Sequence, residues 1–274
     1  MSDTDKVFSG AIPVLYERYL VPLIFQPYAD DLASRLKPRP PGRLLELAAG
    51  TGVLTRALVG AFEGKTDIVA TDLNPAMLDH ARALATNLDV EWRQADAMQL
   101  PFEDGAFDAV VCQFGAMFFP DKGRAYAEAR RVLRPGGLFA FSVWDRIEEN
   151  EFADVITTAL ESVFPDDAPR FLARTPHGYH DRALIERDLA AGGFGETALI
   201  ETVTARSRAE SPSVPAIAYC QGTPLRNEIE ARNPKRLAEA TDIAKAVIAK
   251  RFGTGAVDGK IQAHVVTVRK DGAM

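Results

Sequence analysis

Arg43-Leu44-Leu45-Glu46-Leu47-Ala48-Ala49-Gly50-Thr51-Gly52-Val53-Leu54-Thr55 and, after a helical stretch, Asp67-Ile68-Val69-Ala70-Thr71-Asp72 decide how this chain folds. An apolar run of strand length stops at Glu46, two glycines one residue apart follow, and Leu54, Ala57, Leu58 and Phe62 recur at helical spacing. The order is strand, glycine turn, helix. A second apolar run, Ile68-Val69-Ala70, ends at Asp72, about twenty residues beyond the turn, the spacing at which a βαβ nucleotide-binding unit places a ribose-binding acid. Glycine lets the backbone approach a ligand that a side chain would hold away. Asp72 is expected to accept hydrogen bonds from two ribose hydroxyls.

Two nucleotide cofactors compete for such a turn. A dinucleotide fingerprint wants a third small residue for tight helix packing and a helix N-terminus aimed at pyrophosphate. Here that third position is Thr55, and the turn opens with an acid, Glu46, which suits a cationic ligand better than a phosphate. Glu46-x-Ala48-x-Gly50-x-Gly52 resembles motif I of the class I S-adenosylmethionine (SAM) dependent methyltransferases, an acid followed by alternating glycines, with Ala48 in place of the first.

Further matches follow along the chain. Asn74 and Pro75 open a helix whose buried face is Met77, Leu78, Ala81 and Leu84; Met77 reads either as core or as packing on adenine. Val90 to Ala97 alternates as a third strand ending in Asp96-Ala97. The resemblance implies that Asp96 accepts from the adenine amine while the Ala97 N–H donates to a ring nitrogen; the alternative is an aspartate capping a turn. Leu100-Pro101-Phe102 and Phe107-Asp108 precede a fourth strand, Ala109 to Cys112, as in the ubiquinone and menaquinone biosynthesis enzymes, and Leu133-Arg134-Pro135-Gly136-Gly137 leads into a fifth strand from Leu138 to Trp144. Continuous apolarity in the fourth strand is what burial on both faces requires. Gln113 ends it, to contact cofactor or acceptor or to hold the next loop. Asn/Asp-Pro-Pro-Tyr/Phe is absent there, and Cys112 follows Val111 rather than a proline, so the nucleic-acid methylating classes lose support.

The resemblance implies an α/β fold with a Rossmann-like, mostly parallel seven-stranded sheet in the order 3-2-1-4-5-7-6, flanked by helices and carrying helical cap elements. Residues 1–40, helical and broken at Pro22, read either as helices packing on the sheet edge or as a lid whose Tyr16, Tyr19 or Tyr28 touches cofactor or substrate. The core spans 41–210 with an insertion at 147–180, residues 211–256 form a cap insertion, and 257–274 return as the last strand. The cofactor contacts that the resemblance implies are Glu46, Ala48, Gly50, Gly52, Asp72, Leu73, Met77, Asp96, Ala97, Gln113 and Tyr19. SAM is the cofactor and S-adenosylhomocysteine its product.

Methyl transfer from a sulfonium is in-line displacement with an activated leaving group, so orientation and a dry pocket do most of the work. A base is needed where the acceptor must lose a proton. His177 and His180, in Thr175-Pro176-His177-Gly178-Tyr179-His180, are the candidates, each also readable as structural; a metal would need a third ligand that the sequence does not offer. Aromatic and apolar appended regions point to a small, partly apolar organic acceptor. The rivals are an NAD-dependent oxidoreductase and a methyltransferase-like binding protein without turnover.

The 274 residues, 47% hydrophobic, suffice for a large core, and a net charge of −6 argues against nucleic acid as a partner. Arg124, Arg130, Arg131 and Arg134 read as a solvated helix face. Two distant cysteines, Cys112 and Cys220, make no disulfide framework, and no apolar run reaches membrane-spanning length. A cytoplasmic protein, as a monomer or homodimer, is expected.

Overall fold

The computed structural model describes residues 7–8, 10–195 and 197–272. In chain order the elements are α1 (Ile12–Leu15), a π-helix (Tyr16–Phe25), α2 (Gln26–Leu36), β1 (Arg43–Glu46), α3 (Val53–Phe62), β2 (Asp67–Asp72), α4 (Pro75–Leu84), β3 (Glu91–Gln94) and β4 (Phe107–Gln113). There follow α5 (Lys122–Val132), β5 (Leu133–Trp144), α6 (Glu151–Val163), α7 (Phe171–Arg174), α8 (Arg182–Ala191) and β6 (Leu199–Ala209), then α9 (Ser213–Gln221), α10 (Leu225–Arg232), α11 (Leu237–Phe252) and β7 (Val257–Arg269). One seven-stranded sheet has the order β3-β2-β1-β4-β5-β7-β6, as the resemblance implies. No helix among the described residues is long and apolar enough to cross a membrane.

Contacts divide the described residues into two compact units. The first, within 27–143, 179–203 and 263–274, holds the parallel strands. β1 lies between β2 and β4, with Leu44 opposite both Ile68 and Ala109, and Glu46 opposite Ala70 and Val111. Leu44, Leu45, Val110 and Val111 have no exposed surface, because helices cover both faces. β3, at the edge, is short and mostly exposed, with Glu91 and Arg93 facing outward. α3 buries Val53, Leu54, Leu58 and Phe62 along one stripe. Asp121 caps α5 by accepting from the Arg124 N–H at 2.9 Å, and Asp181 caps α8 by accepting from Ala183 and Leu184.

The fifth strand begins earlier than the sequence suggests. Leu133 already pairs with Phe107, yet the next pair is Ala109 with Leu138, so Arg134 to Gly137 bulge outward within β5. Gly136 sits at φ +76°, and its N–H donates to the Lys270 carbonyl at 2.8 Å.

The second unit, within 1–26, 144–178 and 204–262, is built chiefly on helices. α11 packs on α6 and α9, and α9 on the π-helix. Ala240, Ala244 and Ile248 give α11 a narrow buried face, while Phe152, Ile156 and Leu160 supply the bulk of α6. The Phe152 and Phe252 rings meet edge to face at 4.9 Å, and Tyr16 stacks on Phe25 at 4.9 Å. The buried Glu228 carboxylate accepts from the Arg170 and Phe171 N–H groups and from Arg174 at 2.6 Å, tying α10 to α7.

Pro22 does not break the N-terminal helix, contrary to the sequence reading. It lies inside the π-helix, whose wider turn is seen where the Gln26 N–H donates to the Val21 carbonyl, five residues back. That register moves the carbonyl with which a proline ring collides in an α-helix. Both cysteines are buried, Cys112 in the first unit and Cys220 in the second.

Candidate active site

The turn after β1 is pinned on both sides before it begins to curl. The Leu47 N–H donates to the Val111 carbonyl and the Ala49 N–H to the Thr71 carbonyl, each at 2.8 Å. Ala48, Gly50 and Gly52 then take positive φ, +53°, +58° and +83°, an alternation that keeps side chains out of the concave backbone. For Ala48 the left-handed region costs about 1 kcal/mol. A Cβ at Gly52 would come 2.9 Å from the Trp92 ring, and one at Gly50 would touch the Met77 methyl at 3.5 Å.

Asp72 closes the turn. Its Oδ2 accepts from the Gly50 N–H and its Oδ1 from the Asn74 N–H, both at 2.8 Å. Oδ1 also accepts from the Asn74 side-chain amide at 3.4 Å, while Oδ2 keeps a further lone pair. Burial pushes the Asp72 carboxyl up, and the Asn74 and Gly50 hydrogen bonds oppose it.

Glu46 is 1% exposed, and the Thr55 hydroxyl donates to its Oε2 at 2.6 Å. Burial pushes its carboxyl up to about 8 against the pull of Thr55, and the neighbouring Asp72 charge adds to the rise. Thr55 is thus the partner that holds the acid at the head of the turn. Its signal in the sequence is a hydroxyl on the otherwise apolar buried face of α3.

At the end of β3 the Asp96 Oδ1 accepts from the Met98 N–H at 2.9 Å, so this carboxylate caps its own turn with one oxygen. The Ala95 N–H donates to the Asp72 carbonyl at 3.1 Å, joining the ends of β2 and β3. Leu73 is 46% exposed beside them, and Met77 is buried. Gln113 pairs with Ser142 at the end of β4 and is 9% exposed. Phe114 follows at φ +51° with its N–H on the Ser142 carbonyl at 3.0 Å.

The carboxyl ends of β1 to β4 therefore bring together Glu46, Ala48, Gly50, Gly52, Asp72, Leu73, Met77, Asp96, Ala97 and Gln113 within one unit. Tyr19 and His177 belong to the other unit, whereas His180 belongs to the first, next to the α8 cap. His177 is 5% exposed and its Nδ1–H donates to the Asp145 carbonyl at 2.8 Å, which assigns the proton to that nitrogen. Asp145 is held in turn: the Gln262 amide donates to its Oδ2 at 2.7 Å, and the buried Asn150 amide donates to its carbonyl at 3.3 Å. Among the described residues no group of three or more His, Cys, Asp or Glu could hold a metal ion.

The site fits SAM on its own geometry. A turn of small residues at positive φ and a buried acid suit a cationic amino-acid ligand, and the Asp72 carboxylate at the end of β2 suits a ribose diol.

Comparison with known proteins agrees. A methyltransferase domain family matches residues 45–141. The chain is 35% identical to demethylmenaquinone methyltransferase of Thermus thermophilus over 177 residues, which cover 61% of this chain and 79% of that one. It is 33% identical to the ubiquinone/menaquinone biosynthesis C-methyltransferase of Burkholderia mallei over 166 residues, 57% of this chain and 68% of that one. In fold it is similar to the YcgJ protein of Bacillus subtilis, with a TM-score of 0.56 at 18% identity, covering 90% of this chain and 99% of that one. These likenesses set aside the dinucleotide reading: the chain belongs to the class I SAM-dependent methyltransferases and resembles, among them, the enzymes of ubiquinone and menaquinone biosynthesis.

Proposed function

We propose that this methyltransferase acts on a small, partly apolar organic acceptor and that a quinol-type ring is the favoured class. The observation that carries the acceptor class is the likeness to a demethylmenaquinone methyltransferase along 79% of that enzyme. When bound, SAM supplies an electrophilic methyl on a sulfonium. A methyl leaving without its bonding electrons needs an electron-rich partner, so the reduced ring, not the quinone, is the competent form. Transfer to a ring carbon would break the S–C bond with its electron pair left on sulfur, and the ring proton displaced by the new C–C bond would go to a base.

Each residue takes a role in this reading. Asp72, held by Gly50 and Asn74, receives the ribose hydroxyls on its carboxylate. Asp96 and the Ala97 N–H recognise adenine, with Leu73 and Met77 along its faces. Glu46 stands behind the amino-acid end, steadied by Thr55. Ala48, Gly50 and Gly52 shape the cradle, Gln113 orients the transfer, and Tyr19 closes over it from a lid at 1–40. The segments 147–180 and 211–256 form the rest of the cap.

His177 serves as the base through Nε2, because its Nδ1 proton is committed to the Asp145 carbonyl; His180 contacts substrate. A cytoplasmic protein, as a monomer or homodimer and without nucleic acid or inserted membrane segments, completes the proposal.

Methyl-labelled SAM and chemically reduced demethylmenaquinone, incubated with the protein, are expected to give a labelled, methylated ring, and the oxidised quinone none. Label that appears only in polar small molecules offered in parallel would overturn the acceptor class.

A further inference from the structure

Two positions beside the cofactor turn carry the residue type that the other one's backbone calls for. Ala48 sits at φ +53°, where glycine is at ease and an L side chain is strained. Gly115, just after β4, has φ −101° and ψ −33°, a conformation open to any residue. Space is what demands glycine at 115. A Cβ there would lie 2.4 Å from the Ala48 methyl carbon and 2.8 Å from the Cys112 sulfur.

The segment that Ala48 touches is itself under constraint. Phe114 has φ +51°, its N–H is bound to the Ser142 carbonyl at 3.0 Å, and its buried ring meets Tyr28 edge-on at 5.2 Å. One residue earlier comes Gln113 at the end of β4. The Ala48 methyl therefore abuts a short, strained wall that runs from Gln113 to Gly115, and strain of this kind persists only where the surroundings enforce it.

We infer that Ala48 is a positioning residue for the cofactor site: its methyl group, seated on Gly115, holds the Gln113–Phe114–Gly115 wall at its distance from the β1 turn. The inference rests on the reading that SAM binds at these strand ends, and it deepens that reading by giving a function to the residue that departs from the family's glycine pattern. It also makes a prediction of unexpected sign. Ala48→Gly removes backbone strain and restores the usual motif, yet it weakens the cofactor site, because the wall loses its stop.

Calorimetric titration with S-adenosylhomocysteine tests this on four proteins: wild type, Ala48→Gly, Gly115→Ala, and the double variant. Ala48→Gly is expected to weaken binding by about fivefold to tenfold, the scale of one buried methyl contact, with a ligand-free thermal midpoint close to wild type. Gly115→Ala is expected to lose binding far more severely. The double variant regains part of the affinity lost in Gly115→Ala, since the 2.4 Å approach to the Ala48 methyl is removed while the 2.8 Å approach to the Cys112 sulfur remains. Equal or tighter binding by Ala48→Gly, or a double variant no better than Gly115→Ala, would overturn the inference while leaving the cofactor reading intact. Failure of the wild type to bind would remove both.

Discussion

The two units keep their buried polar groups in different ways. In the first, Glu46 and Asp72 are satisfied by neighbours from the same βαβ unit: Thr55, Gly50 and Asn74, all between Glu46 and the start of α4. In the second, Asp145, Asn150, His177 and Gln262 satisfy one another across separations of up to 117 residues, and Glu228 reaches back more than fifty to α7. A local arrangement stores strain at positive φ. The distributed one closes its hydrogen bonds on itself. The difference teaches that the first unit organises its buried acids locally, at the strand ends where the proposed cofactor site lies, and the second through a long-range network of its own.

Substitutions sharpen this contrast. The largest effect is expected at Gly52, where alanine meets both φ +83° and the Trp92 ring at 2.9 Å. Gly52→Ala should weaken S-adenosylhomocysteine binding by on the order of a hundredfold or more. A titration that showed near-native affinity would mean the turn is not the cradle.

Next comes Glu46. Its folded carboxyl, raised to about 8 by burial, binds a proton that the unfolded chain releases near the ordinary value of 4.5. The folded state holds more protons between those values. The contribution is fully present below about pH 4.5 and is lost as pH rises through about 8, by roughly 5 kcal/mol in all. Urea unfolding from about pH 5 to about pH 9 should therefore show Glu46→Gln gaining on the wild type as pH rises, and parallel profiles would contradict the sign. A cationic ligand favours the ionised form, so cofactor binding should release a proton near neutrality and tighten as pH climbs toward 8.

Glu228→Ala exposes the other unit's logic. It leaves Arg174 and the first N–H groups of α7 without their acceptor, for a loss of about 2–3 kcal/mol in unfolding free energy. Affinity for S-adenosylhomocysteine should hold, and a loss of binding equal to the loss of stability would erase the contrast between the units. Smallest is Asn150→Ala, about 1–2 kcal/mol by the same measurement, since Asn150 links Asp145, Arg146 and Gln262 through neutral hydrogen bonds.

The same contrast explains what could be read from the sequence. Strand, turn, helix and the acids at the ends of β1, β2 and β3 are contiguous signals, each within reach of its neighbours in the chain, and the sheet order followed from recognising them. The sequence presents Thr55 only as a third small-residue position, because its hydroxyl's destination, Glu46, depends on how α3 packs back on β1. The π-helix is not legible in the sequence, because a proline in an apolar helical stretch reads as a break and only the Gln26 to Val21 bond reveals the wider turn. The Asp145, Asn150 and Gln262 network left no trace at any fixed spacing, since it is assembled by tertiary contacts between residues that are individually ordinary. His177 stood out as a histidine in a loop, but the carbonyl that fixes its proton did not.

The two cysteines give the protein a built-in pair of reporters. Cys112 and Cys220 are fully buried, one in each unit, and burial raises both thiols to about 12. An alkylating reagent in the surrounding solution reaches neither until the backbone around it opens. The rate at which each thiol is trapped thus clocks the opening of its own unit, without any engineered label. Adding cofactor should slow the Cys112 clock, and the Cys220 clock shows how far that protection spreads through the chain.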